Sequence, residues 1–204
     1  GPAADAQGSV SPVPATQDQG CIDGDAQRID LARFRTDQVI SRLNEMPGET
    51  RKIRLTHAQI CNPEVQETLV EGTARLDLMI SSVAFNELAI GSCLDAVATP
   101  LCGLSLGRTA IGDAGLAHVA RLTQLKELNI RRTQVTDAGL AHLKSLGALE
   151  TLNLSYTKLT DVSLQHVAHL SALKELALDD AKITDKGLES LSALVNLSSL
   201  TLSN

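Results

Sequence analysis

Four of the five histidines and all four cysteines hold the types and spacings that chemistry would need. His118, His142 and His166 stand 24 residues apart, and His169 follows three after His166. A stack of imidazoles is a donor set for a metal ion. No carboxylate or cysteine recurs in matching register around it, so the stack reads as one outward helix position copied several times. No metal is expected. Cys21, Cys61, Cys93 and Cys102 contain no C-x-x-C pair, which argues against structural zinc and thioredoxin-like redox chemistry. Two readings stay open for them: disulfides, with three possible pairings, or reduced thiols buried as small hydrophobes. There is no nucleophile–base arrangement, no glycine-rich phosphate loop and no paired-acid motif. Gly115, Gly139 and Gly187 recur with the histidine period and read as structural. No catalytic residue, no cofactor and no enzymatic activity are expected.

The elements that would carry these residues follow from a second pattern. Leu-x-x-Leu-x-Leu begins at Leu101, Leu125, Leu149, Leu173 and Leu197, a step of 24 residues each time. A fixed period of this size marks a solenoid, in which one unit cannot bury its own apolar face and stacked copies can. The alternating half of each unit reads as a short strand. The half carrying Leu140, Leu143 and Leu146 has helical spacing. Thr136-Asp137, Thr160-Asp161 and Thr184-Asp185 sit between the halves, with Gly112-Asp113 in the first unit. Thr or Asp there can accept free N–H groups at a helix start, and Asp suits the positive helix end.

These units resemble bacterial leucine-rich repeats of the T-x-V-T-D-A-G-L-x-x-L kind, and the match covers 101–202. The resemblance implies an α/β leucine-rich repeat solenoid, a curved horseshoe with parallel strands on the concave face and helices on the convex face. Many such solenoids place Asn at the turn after the strand to bond buried loop backbone. Here Thr109, Thr133 and Thr157 fall at that turn, and their hydroxyls take part of the task. Cap regions of extracellular family members often carry disulfides, because an end layer has one neighbour to hold it. The resemblance therefore favours disulfides at Cys21, Cys61, Cys93 and Cys102, with Cys21–Cys61 and Cys93–Cys102 preferred among the three pairings. The spacing does not match the clustered cysteine cap of animal members.

Upstream, Ile29-Asp30-Leu31, Ile53-Arg54-Leu55 and Leu76-Asp77-Leu78 each start a strand-then-helix pattern. They predict three degenerate units starting near 26, 50 and 73, the third about four residues too long before Leu101. A differently folded cap fits the same residues. The chain thus divides into a disordered tag remnant and linker at 1–20, an N-terminal cap with degenerate repeats at 21–100, and regular repeats at 101–204. Gly1-Pro2 reads as a scar of tag removal, and Ala3 to Gly20 lacks a hydrophobic pattern. The sequence stops at Ser203-Asn204, after a strand and before its helix. That predicts a repeat cut midway, or an end covered by another chain, including self-association through the uncapped layer.

A hydrophobic share of 43% with no Trp, one Tyr and two Phe suits layers filled by medium aliphatic groups. The net charge of −6 argues against nucleic-acid binding, which needs a basic footprint. No apolar run reaches membrane-spanning length, so no membrane insertion is expected. Strand alternation points Arg54, Arg75, Arg108, Glu127, Asn129, Arg131, Arg132, Asn153, Tyr156, Glu175, Asp179 and Asp180 outward on the strand face. These positions differ between copies whose core positions agree. Their charge is graded, basic early and acidic late, with Tyr156 between. Strands spaced about 4.8 Å apart make a face roughly 35 Å wide over seven or eight units, enough for a protein contact. The expected function is a protein–protein recognition module, secreted, periplasmic or on the cell surface of a bacterium. The alternative is the substrate-recognition arm of an injected effector delivered into host cytosol, fused to a ubiquitin-ligase-like or other catalytic domain.

Overall fold

The computed structural model describes residues 29–45, 51–72, 76–80, 87–96 and 101–203. The linker at 1–20 and the expected site residues Cys21 and Arg75 lie outside them. Strand and helix alternate: β1 (Ile29–Asp30), α1 (Thr36–Asn44), β2 (Arg51–Leu55), α2 (His57–Ile60), α3 (Pro63–Gly72), β3 (Leu76–Ile80), α4 (Glu87–Ala96) and β4 (Leu101–Ser105). The regular units continue with α5 (Asp113–Val119), β5 (Glu127–Asn129), α6 (Asp137–Leu140), β6 (Thr151–Asn153), α7 (Asp161–Val167), β7 (Glu175–Ala177), α8 (Asp185–Glu189) and β8 (Ser199–Thr201). The helices α6 and α8 run on into 3-10 turns at Ala141–Ser145 and Ser190–Ala193. All eight strands form one parallel sheet in chain order. Helices pack on their sequence neighbours, as α5 does on α4 and α6. The core is one continuous cluster from Leu31 to Leu194.

Each regular unit buries the same places. Leu125, Leu128 and Ile130 are at most 1% exposed, as are Leu149, Leu152 and Leu154 in the next unit. From β4 onward each strand pairs with the residue 24 further on, as Leu104 does with Leu128 and Leu128 with Leu152. Ile29 also pairs with Ile53, a step of 24, but the strands on either side of β3 depart from that period. Ile53 pairs with Leu78, so the β2–β3 step is 25 residues and not the 23 that aligning Ile53 with Leu76 implies. Leu78 pairs with Leu104, a step of 26, and the insertion before the regular units is two residues rather than four. The pairing jumps from Leu76–Leu101 to Asp77–Gly103, which leaves Cys102 as the bulged residue. A bulge absorbs an extra residue while holding the register on both sides of it.

The cysteine pairing expected from the resemblance is overturned. Cys61, just past α2, is bonded to Cys93 on α4, with Cα atoms 5.3 Å apart. Cys102 is also disulfide-bonded. The Cys61–Cys93 bridge ties the helical layers of neighbouring units, a closeness set by stacking and hidden by a separation of 32 residues along the chain.

Between units the side chains form ladders. Asp113 opens α5, and its carboxylate accepts both the N–H (2.8 Å) and the hydroxyl (2.6 Å) of Thr136 in the next unit. Asp137 holds Thr160 in the same way, and Asp161 holds Thr184. Each Asp thus sits at the positive end of its own helix and bridges forward to the next unit. Expected helix capping by the threonines appears only at Thr160, which accepts weakly from Val162 N–H at 3.4 Å. Thr136 and Thr184 make no side-chain cap; like Thr160, they donate their hydroxyl protons to the Asp of the preceding unit. The bonds from Thr184 hold the Asp161 carboxyl below its ordinary value.

Candidate functional site

On the strand face, Glu127, Thr151, Glu175 and Ser199 form one column across β5 to β8, and Asn129, Asn153, Ala177 and Thr201 form the next. Glu127 and Glu175 are exposed, while Asn129 and Asn153 are half-buried. Both Asn side chains are already engaged. The Asn129 Oδ1 accepts from the Arg131 N–H at 3.0 Å, and the Asn153 Oδ1 from the Ser155 N–H at 3.1 Å. They brace the turn that follows each strand, a structural task rather than a free contact surface.

The strands of the regular units after β4 are only three residues long, so Arg131, Arg132, Tyr156, Asp179 and Asp180 lie beyond them in the turn. Arg108 holds the equivalent place after β4. Arg108, Arg132, Tyr156 and Asp180 share one conformation, with φ of 62°, 56°, 60° and 55°. This is the left-handed region, which costs a side-chain-bearing residue about 1 kcal/mol and is normally given to glycine. The backbone ladder holds them there. The Arg108 N–H donates to the Arg131 carbonyl, Arg132 to Ser155, Tyr156 to Asp179 and Asp180 to Ser203. Thr109, Thr133 and Thr157 complete the turns as expected, but within their own units. Each buried hydroxyl donates three residues back, to the carbonyls of Leu106, Ile130 and Leu154.

The four left-handed side chains therefore stand in one exposed column, Arg, Arg, Tyr, Asp. The Arg131 and Arg132 guanidinium carbons lie 4.6 and 4.7 Å from the Tyr156 ring centroid, within cation–π range. Ser155, whose side chain alternation would turn outward, is 1% exposed. Its hydroxyl and N–H side of the turn are bound up with Asp179 and Asn153. Asp179 also accepts the Ser203 N–H at 3.0 Å, so it is a turn-bracing residue more than a free charge.

Beside the column runs a groove of about 590 Å³. Arg132, Tyr156 and Asp180 form one rim, Gln134, Lys158 and Lys182 the other, with Thr133, Thr157 and Thr160 below. Gln134, Lys158 and Lys182 were not among the residues expected from sequence. Their own period of 24 was visible, but strand alternation stops before them.

The remaining expected residues are scattered. Arg54 is on β2, paired with Asp30 at 3.2 Å, two strands before the one that leads into the turn column at Arg108. At the opposite edge, where chain enters the strands, Glu150 bridges Lys126 (3.3 Å) and Lys174 (2.6 Å). The Lys174 hydrogen bond, above all, holds the Glu150 carboxyl below its ordinary value against the opposing effect of burial. His118 lies against Gly91 on α4, and His169, two residues past the end of α7, bonds the Gln165 carbonyl on that helix. Among the described residues no three His, Cys, Asp or Glu side chains converge. No helix among them is long and apolar enough to cross a membrane.

Residues 123–183 match a family model described as Leucine rich repeat. No curated protein sequence matches the chain. Among solved structures, an internalin (inlF) from Listeria monocytogenes has the same fold, with a TM-score of 0.52 and 22% identity over 76% of this chain. An internalin C2 (inlC2) from the same organism gives a TM-score of 0.51 and 26% identity over 74% of this chain. The chain covers 41% of the length of the first and 61% of the second. The repeat match over residues 123–183, the parallel ladder and these likenesses together show an α/β leucine-rich repeat solenoid, the fold of the bacterial internalins.

Proposed function

We propose that this chain is a non-catalytic protein-recognition module, working outside the cytoplasm, that reads a protein partner with its strand face and the adjoining turn column. One observation carries the reading. Equivalent buried positions repeat the same aliphatic residues, while the equivalent turn positions change from Arg108 and Arg132 to Tyr156 and Asp180 at places whose backbone favours glycine. Side chains kept at strained positions mark sites where something other than stability is served. Tyr and Arg are also the types most often central to binding hot spots. The Cys61–Cys93 bridge supports an oxidising compartment and weighs against an effector arm in a reducing cytosol.

The test is capture of partners from surface-exposed proteins by crosslinking, with the wild-type chain and with Glu127→Lys/Glu175→Lys. Both carboxylates are exposed on the strand face. Capture is expected to fall about tenfold, the loss of a modest hot spot, with the thermal midpoint unmoved. Undiminished capture places the partner elsewhere and overturns the reading.

A further inference from the structure

We propose that the groove between the turn column and the Gln134–Lys158–Lys182 column docks a short, extended, acidic stretch of a partner polypeptide. The proposal deepens the recognition reading and rests on it for the partner being a protein. The chemistry of the groove is a separate argument.

Charge comes first. The whole chain carries a net −6, yet the groove is lined by Arg132, Lys158 and Lys182 against the single acid Asp180. Lys158 and Lys182 are exposed, and among the described residues neither side chain has an ion-pair partner. The floor has little to offer a neutral ligand. The hydroxyl protons of Thr133, Thr157 and Thr160 are committed to the Ile130 and Leu154 carbonyls and to Asp137. Recognition must therefore come from the rims, and the rims favour an anion at the Arg132–Lys158 end.

Length and polarity choose a peptide. Three units at about 4.8 Å leave roughly 10 Å between the outermost columns. That is three to four residues of extended chain at about 3.4 Å each. A uniform polyanion, such as a sulfated glycan or a nucleic acid, would press charge against Asp180 in any register, with Asp179 close behind. A peptide with carboxylates near Arg132 and Lys158, and a neutral or basic residue near Asp180, meets complementary charge along its length.

Tyr156 supplies the readout. It is the one tyrosine of the chain, which has no tryptophan, so ultraviolet emission reports this groove alone. The full chain is titrated with acetyl-Glu-Glu-Gly-Lys-amide, with the same residues in reverse order, and with a control carrying Gln for Glu and Lys. Shielding of Tyr156 from acrylamide quenching is followed. One of the two acidic peptides is expected to shield saturably, with half-saturation about tenfold below that of the control. Lys158→Glu/Lys182→Glu abolishes the effect, and Lys158→Arg/Lys182→Arg retains it, both with an unchanged far-ultraviolet spectrum. Equal response to the control, shielding that survives charge reversal, or tighter binding of a heparin hexasaccharide overturns the proposal. Failure here with strand-face variants still losing capture removes the groove alone. Peptide binding with capture untouched by those variants removes the strand-face reading instead.

Discussion

The regular units and the units before them solve the same problem differently. From β4 on, the recurring turn and helix-start groups are met by copying. A Thr hydroxyl closes each of the first three turns, an Asp reaches each next Thr, and the step never leaves 24 residues. Before β4 the step drifts to 25 and 26, and the devices are unique. Gln59, 5% exposed, donates to both the Leu31 carbonyl (3.0 Å) and the Phe34 carbonyl (2.7 Å), across into the preceding unit. It also exchanges bonds with Thr56 at its own helix start. The Cys61–Cys93 bridge adds a covalent tie. A periodic solenoid distributes its stability over many equal rungs, whereas an aperiodic one concentrates it in a few residues.

Removal of the bridge should have the largest effect. Cys61→Ser/Cys93→Ser is expected to cost about 3 kcal/mol. Hydrogen exchange should quicken across α1 to α4 and leave β5 to β7 protected. An even loss over both regions would erase the contrast. Next comes Gln59→Leu against Thr133→Val, each read by urea denaturation. The first strands two carbonyls and should cost about 2–3 kcal/mol, the second strands one and should cost about 1 kcal/mol. Equal losses would mean that the unique residue carries no more than one rung. The smallest effect belongs to Glu150. Its folded-state carboxyl is held low by Lys174 and Lys126, so its contribution is present above the unfolded value near 4.3 and disappears as pH falls through the lower folded value. Glu150→Gln should cost less than about 1 kcal/mol at neutral pH. It should also flatten the acid side of a stability–pH profile between those two values. An unchanged slope would show that the bridge contributes nothing.

The same contrast explains what could be read in advance. Leu128, Leu152 and Leu176 recur at fixed steps, so the parallel stack and its buried positions followed from period alone. Thr109, Thr133 and Thr157 were legible as turn residues because their task is local. Contacts between units were not. Local helix rules assign Thr136-Asp137 to a cap, whereas Thr136 answers to Asp113, 23 residues earlier. The true pairing of Cys61 and the bulge at Cys102 depend on registers that break the period, where no copy is available for comparison. Along the strand face, alternation placed Glu127 and Glu175 on exposed strand positions, where they lie, but ran three residues too far. It took Arg132, Tyr156 and Asp180 for strand residues and stopped short of Lys158 and Lys182. Backbone sign at a turn is invisible when the residue there is not glycine.

The Asp-to-Thr rung has an evolutionary corollary. Each rung looks forward by one unit and asks only for an Asp behind and a Thr ahead. Excision of residues 125–148 would present Thr160 to Asp113 just as Thr136 is presented now, and duplication would insert another identical link. Whole-unit gain and loss are thus silent to the scaffold, while a shift of one residue severs two ladders together. A lineage of such chains can change the span of its outer surface by recombination in whole units, and redraw the Arg, Tyr and Asp column with every exchange.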